Sequence, residues 1–142
     1  MKKYKIGYTS GVYDMFHIGH LNILKRAKEQ CDMLVVGVST DSLVESYKLK
    51  KPVISFEDRS AIVGAIRYVD EVVPQVNMDK LASVLSVGAE VVFVGDDWKG
   101  TEKWNAIERI LRDNGVDLVY LPHTDGVSST ILSAVKEEKI EE

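Results

Sequence analysis

The sequence has little cysteine, no strong excess of charge and no long apolar run. Its single cysteine, Cys31, rules out an internal disulfide, and we interpret it as a small packing residue rather than a reactive thiol. The net charge of −4 argues against broad nucleic-acid binding, so an anionic ligand must be attracted by a local cluster of positive groups. We find no apolar leader after Met1 and no stretch of about 20 apolar residues. We therefore expect a cytoplasmic protein without membrane insertion.

The composition is that of an ordinary globular chain. Hydrophobic residues make up 45% and charged residues 28% of the 142 residues, which suffices for one domain with its own core. No internal repeat or long linker interrupts the sequence. We predict a single domain over residues 1–142, with an acidic tail from about residue 136 to residue 142.

Short apolar runs alternate with helical patterns along the chain. The apolar runs lie at residues 6–8, 33–39, 72–73, 91–94 and 118–121, and the helical patterns at residues 18–30, 41–47, 56–66, 79–86, 103–114 and 129–138. This alternation predicts an α/β fold: a single Rossmann-like, doubly wound, five-stranded parallel sheet with helices on both faces. Ligands of such a sheet bind beyond the carboxyl ends of the strands, where the strand order reverses.

The most informative stretch follows the first strand and contains His17-Ile18-Gly19-His20. Two histidines at i and i+3 on the first turn of a helix lie on one face, beside backbone N–H groups without an intrahelical acceptor. Such a helix start favours phosphate, and Gly19 would allow a ligand to approach the backbone closely. The spacing predicts a site that binds a triphosphate and stabilises charge at its α-phosphorus. For H-x-x-H alone, a metal site or a pair of surface histidines remains an alternative.

Positive residues follow in the middle of the chain. Lys48, Lys50 and Lys51 form a polar segment, and Arg59 and Arg67 come next, within about 80° of one another around a helix. Together they could neutralise a triphosphate and the phosphate of a second substrate. The alternatives are solvated lysines and structural ion pairs of the arginines.

Two further segments follow predicted strands at the ligand edge. In Gly95-Asp96-Asp97-Trp98, Asp97 could bind the hydroxyls of an acceptor or Mg²⁺, and Trp98 could form a pocket wall. We interpret Trp104, further along the chain, as a packing residue. The run 126–130 places a glycine and hydroxyls at another helix start, where they could cap the helix or donate to phosphate oxygens.

These blocks resemble the CTP-dependent cytidylyltransferases of the glycerol-3-phosphate type, within the HxGH nucleotidylyltransferase superfamily. The resemblance runs from Lys5 to about Ser133 and rests on four ordered blocks: residues 17–20, Arg59 with residues 66–72, residues 95–100 and residues 120–130. It implies transfer of CMP from CTP to a phosphorylated small alcohol, first of all glycerol 3-phosphate. The products would be pyrophosphate and CDP-glycerol, the latter used for cell-surface polymers. It also implies Mg²⁺ bound with the triphosphate, and a homodimer. The alternatives are another acceptor (phosphoethanolamine, phosphocholine, another polyol phosphate or FMN), transfer from ATP, or a catalytically silent nucleotide-binding module.

The resemblance also implies roles for individual residues. Those with catalytic roles are His17, His20, Lys50 and Arg67. Those that bind the nucleotide are Thr9, Ser10, Gly11, Tyr13, Asp14, Gly19, Lys48, Asp96, His123, Thr124, Gly126, Ser128, Ser129 and Thr130. Those that bind the acceptor are Asp97, Trp98 and Arg67.

One position departs from the family pattern. The pattern has arginine where this chain has His123. Arginine is permanently charged, whereas an imidazole of ordinary pKa, about 6.5, is mostly neutral above pH 7. We therefore expect either that Lys99 or Lys103 supplies the missing charge or that the acceptor differs.

Overall fold

The structure is a computed structural model that describes residues 3–124, so the predicted helix at residues 129–138 and the acidic tail lie outside the described residues. Five strands form one parallel sheet in the order β3-β2-β1-β4-β5. They are β1 (Tyr4–Gly11), β2 (Cys31–Ser39), β3 (Glu71–Gln75), β4 (Val91–Gly95) and β5 (Asp117–Leu121). The described helices are α1 (Ile18–Glu29), α2 (Asp41–Lys48), α3 (Phe56–Gly64), α4 (Lys80–Val87) and α5 (Glu102–Asp113). The predicted five-stranded parallel sheet is confirmed.

Apolar residues cover the sheet on both faces. One cluster contains Leu24 of α1 and Val63 of α3, and the other contains Val84 of α4 and Leu111 of α5. Strand β2 lies inside the sheet, with most of its side chains buried, as its continuous apolar sequence predicts. Cys31 is fully buried in the first cluster, which agrees with a packing role. The doubly wound arrangement is therefore confirmed.

Hydroxyl and carboxylate side chains start most of the helices. Thr40, Ser55, Asp79 and Thr101 each accept a backbone N–H from the first turn of the helix that follows. One helix boundary differs from the prediction, and one short turn was not predicted. Helix α3 ends at Gly64 rather than near residue 66, and the chain after β4 forms a single 3₁₀ turn at Asp96–Trp98.

The strand order reverses at β1, which pairs with β2 on one side and with β4 on the other. The chain leaves these neighbouring strands toward opposite faces, so a crevice opens beyond their carboxyl ends. Within residues 3–124, no helix combines the length and the apolar character needed to cross a membrane.

Candidate active site

Two imidazoles build the start of α1. His17 is the residue that caps the helix, and its Nδ1 accepts the Gly19 N–H at 3.0 Å. The Nδ1 of His20 in turn accepts the His17 N–H at 3.2 Å. The two rings stack, with centroids 3.8 Å apart and planes 22° apart. Because each Nδ1 is an acceptor, each neutral ring carries its hydrogen on Nε2, where it can act as a donor.

The surroundings hold both rings neutral. Burial, and next the neighbouring His17 ring, lower the pKa of His20 to about 4, an effect that the Asp14 carboxylate opposes. Burial also lowers the pKa of His17. The Tyr13 ring packs edge-on against His20 at 5.3 Å and the Phe16 ring lies 5.2 Å away, so aromatic contacts fix the imidazole orientation. At neutral pH the pair is therefore a set of uncharged hydrogen-bond donors.

Gly19 is required for a different reason from the one that the sequence suggested. A Cβ atom at this position would lie 2.8 Å from Cε1 and 3.0 Å from Nδ1 of His17. The space is thus occupied by the capping imidazole of the same turn. A side chain at residue 19 would displace the ring that closes the cap, so the glycine serves the geometry of His17 as well as any ligand.

Asp14 connects this helix start to the lysine segment. Its two carboxylate oxygens accept the backbone N–H groups of Val53 and Ile54, at 2.8 Å and 2.9 Å. The segment between α2 and α3 is thereby held next to the histidines. It borders a cleft of about 400 Å³, whose lining residues include Tyr13, Asp14, His20, Lys48, Lys50, Lys51, Asp97 and Trp98. The structure therefore brings His20, on which His17 stacks, together with the predicted lysines and Asp97.

Arg59 does not reach this cleft. Its side chain is 1% exposed, and its guanidinium donates to the carbonyl oxygens of Val12, Ser39 and Ile54 at 2.7–2.8 Å and to Asp41 at 2.6 Å. All its directed contacts are within the protein, so the suggestion that Arg59 neutralises phosphates is wrong. The structural ion pair considered as its alternative is what the structure shows.

Arg67 lies near the amino end of β3, at the opposite end of the strands from the cleft. It follows the end of α3 and precedes β3, whereas the cleft lies beyond the carboxyl ends of the strands. Its expected proximity to Arg59 assumed one continuous helix, but α3 ends at Gly64, and eight helical residues span about 12 Å. Within one chain the structure therefore does not bring Arg67 to the histidines. Asp70, three residues further along the chain, accepts a hydrogen bond from the Lys28 ammonium at 2.6 Å.

The next predicted residues, Asp96, Asp97, His123 and Thr124, follow the carboxyl ends of β4 and β5. The Nδ1 of His123 lies 2.7 Å from an oxygen of Asp96 and 3.7 Å from an oxygen of Asp97. The hydrogen bond with His123 is the main cause that lowers the pKa of Asp96. Thr124 accepts the side-chain amide of Asn22 at 2.8 Å, which holds the chain after β5 over α1. Gly126, Ser128, Ser129 and Thr130 lie outside the described residues.

The end of β1 contains the remaining predicted residues and one that sequence reasoning missed. The Thr9 side chain is 2% exposed and its hydroxyl donates to the Phe93 carbonyl, so it serves the sheet. Gly11 lies under the Tyr13 ring, and a Cβ there would be 3.2 Å from it. The Ser10 hydroxyl accepts the ammonium of Lys80 at 2.6 Å. A lysine in the first turn of a helix is unfavourable, because its charge opposes the helix dipole. This unusual position is the feature of the sequence that could have marked Lys80 as a functional residue.

Lys80 borders a second cavity of about 560 Å³ beside the cleft. Its walls are mainly apolar and aromatic, from Tyr47, Met78, Trp98, Trp104 and Ile107, and Lys48, Lys80 and Lys103 lie at its edge. Burial, followed by repulsion from Lys103, lowers the pKa of Lys80 to about 8. Trp98 and Lys48 line both spaces, so the cavity adjoins the cleft. Trp104 is 9% exposed, as expected for a packing residue.

Comparison with known proteins decides the family. Residues 8–135 match the family described as cytidylyltransferase-like. The chain belongs to this family. It is 40% identical over 131 residues to the glycerol-3-phosphate cytidylyltransferase of Bacillus subtilis (strain 168), covering 92% of this chain and 93% of that protein. It is 34% identical over 119 residues to the FAD synthase of Thermococcus kodakarensis, covering 81% of this chain and 78% of that protein.

A solved structure shares the fold. A lipopolysaccharide core biosynthesis protein from Thermoplasma volcanium superposes with a TM-score of 0.70 at 25% identity, covering 85% of this chain and 97% of that one. The resemblance inferred from the sequence is therefore confirmed. The protein is a nucleotidyltransferase, and its cleft is lined by the neutral His20 ring, which stacks on His17, and by several lysines.

Proposed function

We propose that the protein transfers CMP from CTP to glycerol 3-phosphate and releases CDP-glycerol and pyrophosphate. The observation that carries the proposal is the imidazole pair, because both Nδ1 atoms are used by the helix cap and both Nε2–H groups remain as donors. The similarity to a glycerol-3-phosphate cytidylyltransferase along nearly the whole chain supports the choice of substrates.

The reaction needs placement and charge compensation rather than a protein nucleophile. An oxygen of the acceptor phosphate attacks the α-phosphorus of CTP in line, the new P–O bond forms, and the bond to the β-phosphate breaks to release pyrophosphate. A phosphate monoester is already largely ionised at neutral pH, so no general base is required. His17 and His20 donate to the α-phosphate oxygens, while Lys48 and Lys50 offset the repulsion between the two polyanions.

Mg²⁺ bound with the triphosphate is part of this proposal. Magnesium prefers oxygen ligands and keeps several waters, and the Asp97 carboxylate, which lines the cleft, fits that preference. When bound, the ion would reduce the negative charge of the departing pyrophosphate. Asp14 fits less well, because both of its carboxylate oxygens accept backbone N–H groups.

The apolar cavity favours one second candidate. Glycerol 3-phosphate is small and polar, whereas the cavity beside the cleft has about 560 Å³ of space with two tryptophans in its walls. A planar acceptor such as FMN, with nucleotidyl transfer from ATP, would use this volume, and one relative is an FAD synthase. The lysines at the edge of the cavity would bind the phosphate of either acceptor.

A homodimer in the cytoplasm that serves cell-surface polymer synthesis completes the proposal. Exposed apolar side chains on helices α4 and α5, such as Leu85 and Ile110, are of the kind that a subunit contact would cover. Sedimentation equilibrium of the full chain would give the number of subunits directly.

Substrate choice is tested by measuring pyrophosphate release. Each of the four ribonucleoside triphosphates is combined with glycerol 3-phosphate, phosphocholine, phosphoethanolamine, longer polyol phosphates and FMN. We expect the highest kcat/KM for CTP with glycerol 3-phosphate. A preference for ATP with FMN would support the second candidate instead. Tight CTP binding without pyrophosphate from any acceptor would identify a silent binding module and overturn both.

A further inference from the structure

Two carboxylates and an imidazole meet where β4 and β5 end. Asp96 and Asp97 belong to the turn after β4, and His123 follows the end of β5, its parallel neighbour. One potential ligand atom from each side chain lies within 4.8 Å of the others. All three side chains are at least one-third exposed, so they can adjust to a bound ion.

We propose that Asp96, Asp97 and His123 bind a divalent transition-metal ion of the Co²⁺ or Zn²⁺ type at the rim of the cleft. In tetrahedral coordination, bonds of about 2.1 Å place the ligand atoms of one ion roughly 3.4 Å apart. The three ligand atoms, now within 4.8 Å of one another, would therefore close by up to about 1.4 Å, which exposed side chains can do by small rotations. Water and phosphate oxygens would take the remaining positions.

Charge gives a second argument for a cation at this place. Asp97 also lines the cleft that Lys48 and Lys50 border, and Asp96 lies next to it. Two adjacent carboxylates at the edge of a polyphosphate site repel the ligand. A divalent ion would cancel both charges and offer a positive centre to the phosphates. The imidazole alone adds no such charge when it acts as a neutral ligand.

The imidazole determines which metal the site should prefer. Nitrogen ligands suit Co²⁺, Ni²⁺ and Zn²⁺, whereas Mg²⁺ favours oxygen ligands and octahedral geometry. An ion held by His123 would therefore differ from the Mg²⁺ that accompanies the nucleotide, and Asp97, with two carboxylate oxygens, could contact both ions. The use of this site in catalysis rests on the proposed function, but the binding of the metal does not.

The test is a titration of the full chain with CoCl₂ without nucleotide, followed by visible absorption and by quenching of tryptophan emission. Trp98 shares a turn with both aspartates and is 56% exposed, so a bound Co²⁺ should quench it. We expect one ion per chain. His123→Arg and Asp96→Asn should each weaken binding by at least about tenfold. Asp113→Asn, at the exposed end of α5, removes the same kind of charge and should leave binding unchanged.

Other outcomes would overturn the proposal. One is the lack of saturable Co²⁺ binding, and another is equal Co²⁺ affinity in the wild type and in His123→Arg. A third is that Mg²⁺ binds as tightly as Co²⁺ and that its affinity does not change in His123→Arg. Loss of binding in His20→Asn but not in His123→Arg would locate the ion at the imidazole pair and would also contradict it. Because no substrate is present, these results are independent of the pyrophosphate assay. His123→Gln, which removes the imidazole without adding a permanent charge, repeats the test if the arginine variant is poorly folded.

Discussion

His17 and His20 each use one ring nitrogen for the fold and leave the other for a ligand. The Nδ1 atoms accept backbone N–H groups of the first helical turn, at 3.0 Å and 3.2 Å. The same bonds select the tautomer, orient the rings and keep Nε2–H groups available. Capping and catalysis thus depend on the same residues, and a substitution must be chosen to separate the two roles.

His17→Asn makes this separation. Asparagine is a good helix-capping residue, so the start of α1 should survive, but the Nε2–H donor is lost. We expect kcat to fall by roughly a hundredfold to a thousandfold, the usual effect of removing one well-placed donor in the transition state. The melting temperature should stay within a few degrees of the wild type. Near-normal kcat with a stable fold would mean that His17 serves only as a cap.

The pKa of His20 predicts how stability depends on pH. The pKa is about 4 in the folded state and about 6.5 in the unfolded chain, so between these values only the unfolded state binds the proton. Stability should therefore be complete above about pH 6.5 and should fall as the pH is lowered toward 4. From the two pKa values we expect this residue to contribute roughly 2 kcal/mol less at pH 5 than at pH 8.

The measurement is the free energy of unfolding in urea at pH 8 and pH 5, for the wild type and for His20→Asn. Other titrating groups affect both proteins alike, so the pH dependence of the variant should be smaller by that amount. If both proteins lose the same stability between the two pH values, His20 titrates normally in the folded protein and its neutral state is not a property of the fold.

Residue types could be predicted from the sequence more readily than their partners. The spacing of His17 and His20 placed both on one helical turn, and the structure agrees. The contact of Lys80 with Ser10 joins residues 70 positions apart, and no local pattern encodes it. The same holds for Asp14, whose partners are backbone groups 39 and 40 residues away.

At the scale of elements, Arg59 connects three segments that surround the cleft. Its guanidinium bonds carbonyl oxygens after β1, at the end of β2 and before α3, and it pairs with Asp41 at the start of α2. A buried cation with this many acceptors fixes the positions of the loops, because moving any one of them would leave part of the buried guanidinium without an acceptor. Arg59 is therefore a positioning residue of the cleft.

Arg59→Met should lower the free energy of unfolding by about 3 kcal/mol or more, because buried acceptors and the Asp41 charge lose their partner. Arg112→Met is the matched control. It breaks an arginine–carboxylate pair of similar length, 2.7 Å, but the Arg112 side chain is 69% exposed, and we expect a loss below about 1 kcal/mol. Urea denaturation gives both values. Similar losses in the two variants would show that Arg59 is only a surface-type ion pair.

Helix α3, which contains Arg59, shows where the sequence pattern led to a wrong prediction. The helical pattern at residues 56–66 predicted a helix whose far end would carry Arg67 near Arg59. The structure ends α3 at Gly64, and Arg67 emerges where the chain turns back into β3. Alternating apolar runs predicted the sheet because burial on two faces requires them. The end of a helix depends on tertiary contacts that those runs do not specify.

For the whole molecule, charge is distributed unevenly. The net charge is −4, yet Lys48, Lys50 and Lys51 border one cleft. The field far from the protein repels a triphosphate, whereas the local field at the cleft attracts it, and the attraction acts within about 10 Å at 0.1 M salt. A ligand that binds only the folded state should also stabilise the protein, by about 2.7 kcal/mol at a hundred times its Kd.

Two substitutions with the same change in net charge separate local from global attraction. Lys50→Met removes a cation from the cleft, and Lys25→Met removes an exposed one from α1. We expect Lys50→Met to weaken CTP binding by roughly ten- to a hundredfold, the effect of losing one charged hydrogen bond, and to reduce the salt dependence of Kd. Lys25→Met should leave Kd nearly unchanged. Calorimetric titration at two salt concentrations, with melting temperatures at saturating CTP, would measure both effects. Equal weakening by the two substitutions would show that net charge, rather than the lysines at the cleft, governs nucleotide binding.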